Sequence, residues 1–277
     1  MKVQNLPMSR FGAYLTVGIG ALIMLLPFYF MFVFATHTKS EIFRLPPPLL
    51  FGGDFFANLS ILTKNIPFWK NLGWSIYVAS ISTALTLLFS SMGGYAFAMY
   101  EFRGKTALFA LVMGTMLIPP FLGMIPTFMI MDLLGWIDQP RALYIPGAAS
   151  AFGIFLMRQF IASSIPKTLV EAARMDGCSE FSIFLKVVLP LLGPALGTLG
   201  LISFIASWNN FIGPLVVMRS VDHYTLPLAL RSMQNPMNAE WGAIMAGSAI
   251  AVLPLLILFV FSSRRMIDGL TAGAVRG

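Results

Sequence analysis

Charge is what this sequence has least of. Only 10% of its 277 residues are Asp, Glu, Lys or Arg, against 57% hydrophobic, and mean hydropathy is +0.81. A soluble chain of this length needs far more charged surface, so the composition excludes an ordinary globular enzyme and points to a polytopic membrane protein. Cysteine is almost missing: Cys178 stands alone, which rules out an internal disulfide. The two histidines, His37 and His223, have no metal-ligand partners near them in sequence, and no metal site is expected. Acidic residues number 11 against 18 basic, for a net charge of +7. In a soluble protein that surplus would suggest nucleic acid; here cytoplasmic loop bias and anionic lipid account for it.

Long apolar runs are abundant. A span needs about 20 apolar residues, and hydropathy gives six candidates, at 11–35, 72–100, 107–131, 142–161, 188–218 and 242–261. All are expected to be helices, because lipid cannot satisfy an open strand edge. The expected fold class is therefore an all-α membrane protein, a single domain over 1–277. The first run exceeds the apolar core of about 7–15 residues of a signal peptide and reads as an uncleaved span. Prolines at 119, 120, 126, 146, 190, 194, 214 and 254 predict kinks or broken turns. Six spans put both termini on one side. Eleven Lys and Arg fall there (Lys2, Arg10, Arg103, Lys105, Arg158, Lys167, Arg174, Lys186, Arg264, Arg265, Arg276) and seven opposite (Lys39, Arg44, Lys64, Lys70, Arg141, Arg219, Arg231). That bias predicts termini inside.

Several segments are tested for chemistry and set aside. Residues 36–71, with LPPPLLFGGD, form a turn-rich outside segment whose Phe55, Phe56, Phe68 and Trp69 are expected to rest at the membrane interface. Arg103-Gly104-Lys105-Thr106 looks like the end of a phosphate-binding loop, but that pattern needs glycine at position 99, which is methionine. Asp132, Asp138 and Arg141 in DLLGWIDQPR are expected to be a solvated turn rather than a carboxylate-and-base set. No catalytic residue is expected, and ATP and Mg would belong to another polypeptide. No ionisable residue lies deep in a span; Arg158 is near an inner end and can snorkel. A proton relay is thereby disfavoured, and an external energy source favoured over a secondary sugar carrier, although sodium coupling could use hydroxyls and carbonyls.

The fifth span carries a polar stripe. Ser203, Ser207 and Asn210 lie at i, i+4 and i+7 on one helix face, flanked by Trp208 and Asn209. Such a stripe faces a bundle interior or a water-filled path. Neutral hydroxyls and amides suit sugar hydroxyls, but interhelical hydrogen bonding reads equally well.

One stretch is polar and punctuated between apolar neighbours: residues 163–194, SSIPKTLVEAARMDGCSEFSIFLKVVLPLLGP. Ser164 is expected to cap a short helix with Pro166 in its opening turn, Gly177 to close it in a left-handed conformation, and Ser179 to cap the next. Leu169, Ala172, Ala173 and Asp176 share one face. Asp176 sits at the helix's negative end, which implies either a compensating partner or a local turn bond. EAARMDG, followed by Phe181, Phe184, Leu189-Pro190 and Pro194, resembles the EAA motif of permease subunits of bacterial ATP-binding-cassette importers. Cys178 stands where that family usually has a smaller residue, and Gly193 at a commonly polar position. A two-helix unit could suggest DNA binding, but tethers to membrane spans at both ends preclude it.

The resemblance extends through WNNF…TLPLAL and RRMIDGLTAGAVRG and is nearest to the second permease subunit of maltose-type sugar importers. It implies the type I importer permease fold in the bacterial inner membrane. The loop 163–186 would dock a cytoplasmic ATPase dimer through Glu171, Ala172, Ala173, Asp176 and Gly177. The outside loop 219–241 would reach toward an extracytoplasmic solute-binding protein, and the tail 264–277 would contact the ATPases. A second permease subunit is implied, a different chain being favoured. Ser203, Ser207, Asn209 and Asn210 would lie on a sugar path.

Overall fold

The computed structural model describes residues 10–235 and 239–274, with side chains for 12–235 and 239–260. Every regular element among them is helical. The principal helices are α1 (Arg10–Phe34), α2 (Phe55–Asn65), α3 (Phe68–Met99), α4 (Lys105–Thr115), α5 (Met124–Leu133), α6 (Ala151–Ser164), α7 (Lys167–Met175), α8 (Glu180–Leu191), α9 (Gly193–Trp208), α10 (Ile212–Val217), α11 (Leu226–Ser232) and α12 (Trp241–Ala274).

Among the described residues three helices are long and apolar enough to cross a membrane alone: Gly12–Phe34, Phe68–Met99 and Trp241–Val260. Two further runs pass only as bent pairs, Lys105–Thr115 with Pro120–Leu133 at 93° and Glu180–Leu191 with Gly193–Trp208 at 81°. The prolines at 119, 120 and 194 stand at these breaks, where a missing N–H and a ring clash end the preceding helix. The run 142–161 is not a continuous helix. A short turn ends near Pro146, and α6 restarts only where Ser150 Oγ accepts the Gly153 N–H at 3.1 Å. At 14 residues α6 is too short to span by itself. Pro27 and Pro254, by contrast, sit inside unbroken helices.

The chain divides into two compact units. In the first, 1–66 with 232–252, the proline-rich segment is strapped down. Asn58 Nδ2 donates to Ala35 O and His37 O, both at 2.9 Å, and Gly52 N–H donates to Thr36 Oγ1 at 2.8 Å. Phe55 packs with Ala35, Ala246 and Ala249, while Phe56 is 79% exposed.

The second unit, 67–231 with 253–277, is built around α3. This helix packs most extensively against α6 and α9. The approach is close: a Cβ on Gly94 would lie 2.5 Å from Met157 Cβ. Phe68, at the start of α3, is fully buried, so of the four aromatics expected at the interface it is a core residue; Trp69 remains exposed. Met157, Ile161, Ile183, Val188, Leu192 and Leu199 form the main core of this unit.

Candidate functional site: the coupling loop and the opposite end of α3

The two short helices expected in 163–186 are present, with one change. Ser164 is the last residue of α6, and α7 begins after Pro166, whose extended backbone (φ −61°, ψ 133°) occupies the cap position with no side-chain cap. A proline there fixes φ and has no side-chain acceptor for the first N–H groups, although its carbonyl accepts the Leu169 N–H at 3.1 Å. At the other end the helix closes by hydrogen bonds Cys178 N to Ala173 O, 3.1 Å, and Gly177 N to Arg174 O, 3.0 Å. With Gly177 at φ +79° this is a Schellman termination. Ser179 Oγ accepts the Ser182 N–H at 3.3 Å and caps α8.

Of the four residues expected to share one face of α7, Ala173 packs inward, while Leu169, Ala172 and Asp176 are exposed. Val170, 2% exposed, and Ala173, three residues on, pack on the core. Glu171, Ala172, Met175, Asp176 and Gly177 are exposed. Among the described residues neither the Asp176 nor the Glu171 carboxylate has an intramolecular partner; the local turn bond open to Asp176 is not made.

A cluster that the sequence did not reveal joins this loop to α3. Glu180 receives Arg174 Nε at 2.6 Å and its second nitrogen at 3.3 Å, Tyr100 Oη at 2.5 Å and Tyr95 Oη at 3.3 Å. The Arg174 guanidinium also lies over the Tyr100 ring at 5.5 Å. The hydrogen bond from Arg174, then that from Tyr100, holds the Glu180 carboxyl below its ordinary range. Burial, and then donation to Glu180, pushes the Tyr100 phenol up. Beyond Glu180 the helix widens into a π-turn over Phe184–Val188. Pro190, lacking an N–H, follows within one turn and accounts for that widening.

The polar stripe is a helix face only as far as Ser207. Ser203 and Ser207 lie half-buried on α9, which stops at Trp208, buried and stacked on Phe204 at 5.8 Å. Asn209 and Asn210 are exposed in the break before α10, where Asn210 Oδ1 accepts the Gly213 N–H at 3.0 Å. Of the four, Asn210 lines a cavity of about 550 Å³, with Pro120, Thr127, Gly147 and Val216 among its neighbours. Asparagine's local turn bond outcompetes helix continuation here, which is why the i+7 position leaves the face.

At the end of α3 remote from Glu180, Asp138 is no solvated turn residue. It adopts φ 60°. Its carboxylate accepts the backbone N–H groups of Arg219 (2.9 Å) and Ser220 (3.0 Å), the Ser220 hydroxyl, and His223 Nδ1 at 3.0 Å. Partial burial opposes the charge, but these donors outweigh it and lower the carboxyl to about 2. Asp132 takes no part in this cluster. Arg141 stacks on Trp136 at 5.2 Å and, with Trp74, Tyr77, Tyr144 and His223, borders an open groove of about 930 Å³. Among the described residues no cluster of three metal-ligating side chains occurs. The tail 264–277 lies outside the residues whose side chains are described.

An all-helical membrane chain with broken spans and a polar two-helix handle is built as a transport permease. Residues 90–270 match the family model described as binding-protein-dependent transport system inner membrane component. The arabinooligosaccharides transport system permease protein AraQ of Halalkalibacterium halodurans is 36% identical over 95% of this chain and 96% of its own length. The lactose transport system permease protein LacG of Rhizobium radiobacter is 32% identical over 93% of this chain and 93% of its own. A chain of a bacterial ABC transporter involved in import of the acidic polysaccharide alginate superposes with a TM-score of 0.81 at 26% identity, covering 95% of this chain and 99% of that one. The MetNI methionine ABC transporter shares the fold alone, with a TM-score of 0.52 at 16% identity. The chain belongs to the binding-protein-dependent transport system inner membrane component family. It is a multi-pass inner-membrane permease subunit of an ABC importer, not an enzyme and not a stand-alone carrier.

Proposed function

We propose that this chain is one of two permease subunits through which a sugar or sugar derivative, delivered by an extracytoplasmic solute-binding protein, enters the cell at the expense of ATP bound with Mg on a separate ATPase dimer. The names of its relatives, which transport arabinooligosaccharides and lactose, support a saccharide substrate. In this reading the chain is a single permease domain with six spans and cytoplasmic termini. The shortfall at 142–161 is made up by the turn before α6. The partner permease is a different chain, and loop 219–241 faces the binding protein.

The observation that carries the reading is the exposed surface of α7. Glu171, Ala172, Asp176 and Gly177 are presented outward with their carboxylates unpartnered, on a helix whose other face is anchored in the core by Val170 and Ala173. This is a rigid handle with a shallow surface, and an ATPase cleft would grip it. Closure of the ATPase dimer on ATP would shift α7 and α8 as a lever and re-pack the spans. Asn210, at the broken span, would contact passing substrate, with Ser203, Ser207 and Asn209 along the same path.

Gly177→Val tests the handle. A Cβ there meets open space, but φ +79° costs a β-branched residue about 1–2 kcal/mol. The αL turn that sets the handle's end is thereby lost. In proteoliposomes uptake should fall at least ~10-fold while basal ATP hydrolysis persists, a loss of about 1.4 kcal/mol or more in coupling. Normal uptake with normally stimulated hydrolysis would remove Gly177 from the coupling assignment.

A further inference from the structure

Helix α3 is fastened at both ends by directional polar contacts. At one end Asn71, fully buried, donates from Nδ2 to Val221 O at 2.8 Å and to Tyr224 O at 2.9 Å. Ser75 Oγ accepts the Leu226 N–H at 2.6 Å, and Lys70 pairs with Asp222 at 3.1 Å. Residues 221–226 are thus laid along the first two turns of α3. The same loop is held from its other side by the Asp138 carboxylate, so it cannot swing freely. At the far end Tyr95 and Tyr100 both donate to Glu180 in the coupling loop. From Phe68 to Met99 α3 runs 32 residues without a proline or a break, and the two joints lie at its ends. At 1.5 Å per residue that is about 48 Å. An uninterrupted helix packed closely on two neighbours moves as a body, whereas apolar contacts between other helices can slide.

We infer that α3 is the strut that carries the state of the 219–226 loop to the coupling loop, with Asn71 and Glu180 as positioning residues at its two joints. The inference rests on the proposed reading that loop 219–241 meets the binding protein and loop 163–186 meets the ATPase. Docking of the binding protein would displace the 221–226 segment, Asn71 would take α3 with it, and the two tyrosines would hand the shift to Glu180 and α8.

The test uses the full complex, this chain with its partner permease, ATPase dimer and binding protein, in lipid nanodiscs. ATP hydrolysis is measured with and without saturating binding protein. Tyr95→Phe with Tyr100→Phe removes the two tyrosine bonds to Glu180 without touching the exposed face of α7; Asn71→Leu removes the two buried bonds of the other joint and leaves those of Ser75 and Lys70. Each should leave basal hydrolysis as in the wild type and lower the stimulation by roughly 3- to 30-fold, the range in which residues on a coupling link act. Because either break severs one link, the combined variant should be no worse than the poorer single one; effects of independent sites would multiply. Should Asn71→Leu fail to assemble, Ser75→Ala removes a single bond at the same joint and is judged by the same criteria. Wild-type stimulation in both variants, or losses that multiply, would overturn the strut. Absence of stimulation in the wild-type complex would overturn instead the partner assignment beneath it.

Discussion

The two ends of α3 treat carboxylates in opposite ways. Remote from the coupling loop, Asp138 is saturated by two backbone N–H groups, a hydroxyl and an imidazole from a segment some eighty residues later in the chain. At the coupling end Asp176 and Glu171 stand exposed, with no partner among the described residues, a few residues from Glu180, which is fully engaged. A satisfied carboxylate pins two segments of one chain together. An unsatisfied one, placed at the negative end of its own helix as Asp176 is, is unfavourable unless a partner compensates it. On the proposed reading of loop 163–186, the difference separates groups that hold this subunit together from groups that meet the ATPase.

That contrast can be broken most forcefully at Asp138. Asp138→Ala leaves several donors without their charged acceptor and should destabilise the purified subunit by about 2–4 kcal/mol, read as a drop in thermal midpoint; a change under about 0.5 kcal/mol would mean the knot is not structural. The same carboxylate has a pH signature. Its folded value, about 2, lies below the ordinary 3.8. The stabilisation is therefore fully present above about pH 4 and is lost as pH falls toward 2, amounting to about 2 kcal/mol. Asp138→Ala should flatten that part of the stability profile.

Asp176→Asn sharpens the other side of the comparison. It should leave the thermal midpoint unchanged and weaken association with the ATPase subunit by about 1 kcal/mol, roughly fivefold, in a co-purification or binding titration. A stability loss without an affinity loss would place Asp176 with Asp138 as an internal tie. The smallest effects are expected along α9. Ser203→Ala and Ser207→Ala should each cost no more than about 0.6 kcal/mol of stability. Asn210→Ala, at the cavity wall, should raise the KM for uptake more than either serine change; equal effects at all three would restore the continuous polar face that the helix break interrupts.

Much of the coupling loop was legible because its signals are local. Gly177 and Ser179 announce a left-handed stop and a new cap within a few residues, and both act as expected. Ser164 misled because its cap chemistry lies two residues before the position that Pro166 occupies as the true start. Long-range partnerships left no sequence mark. Glu180 reads as one more surface charge until Tyr95 and Tyr100 are brought to it, and Asp138 reads as a turn residue until 219–223 folds over it. Hydropathy located the apolar runs but not their interruptions: 142–161 and 188–218 are apolar enough to be called spans, and only the backbone shows where α6 starts and α9 stops.

By itself the sequence determined the solvent this chain lives in, its all-helical form and the position of its polar handle, because hydrophobicity and helix punctuation are properties of neighbouring residues. Only the tertiary structure decided which carboxylates are spent within the subunit and which remain free. A hydrogen bond requires its partners to be about 3 Å apart in space, and nothing in the order of residues states that distance.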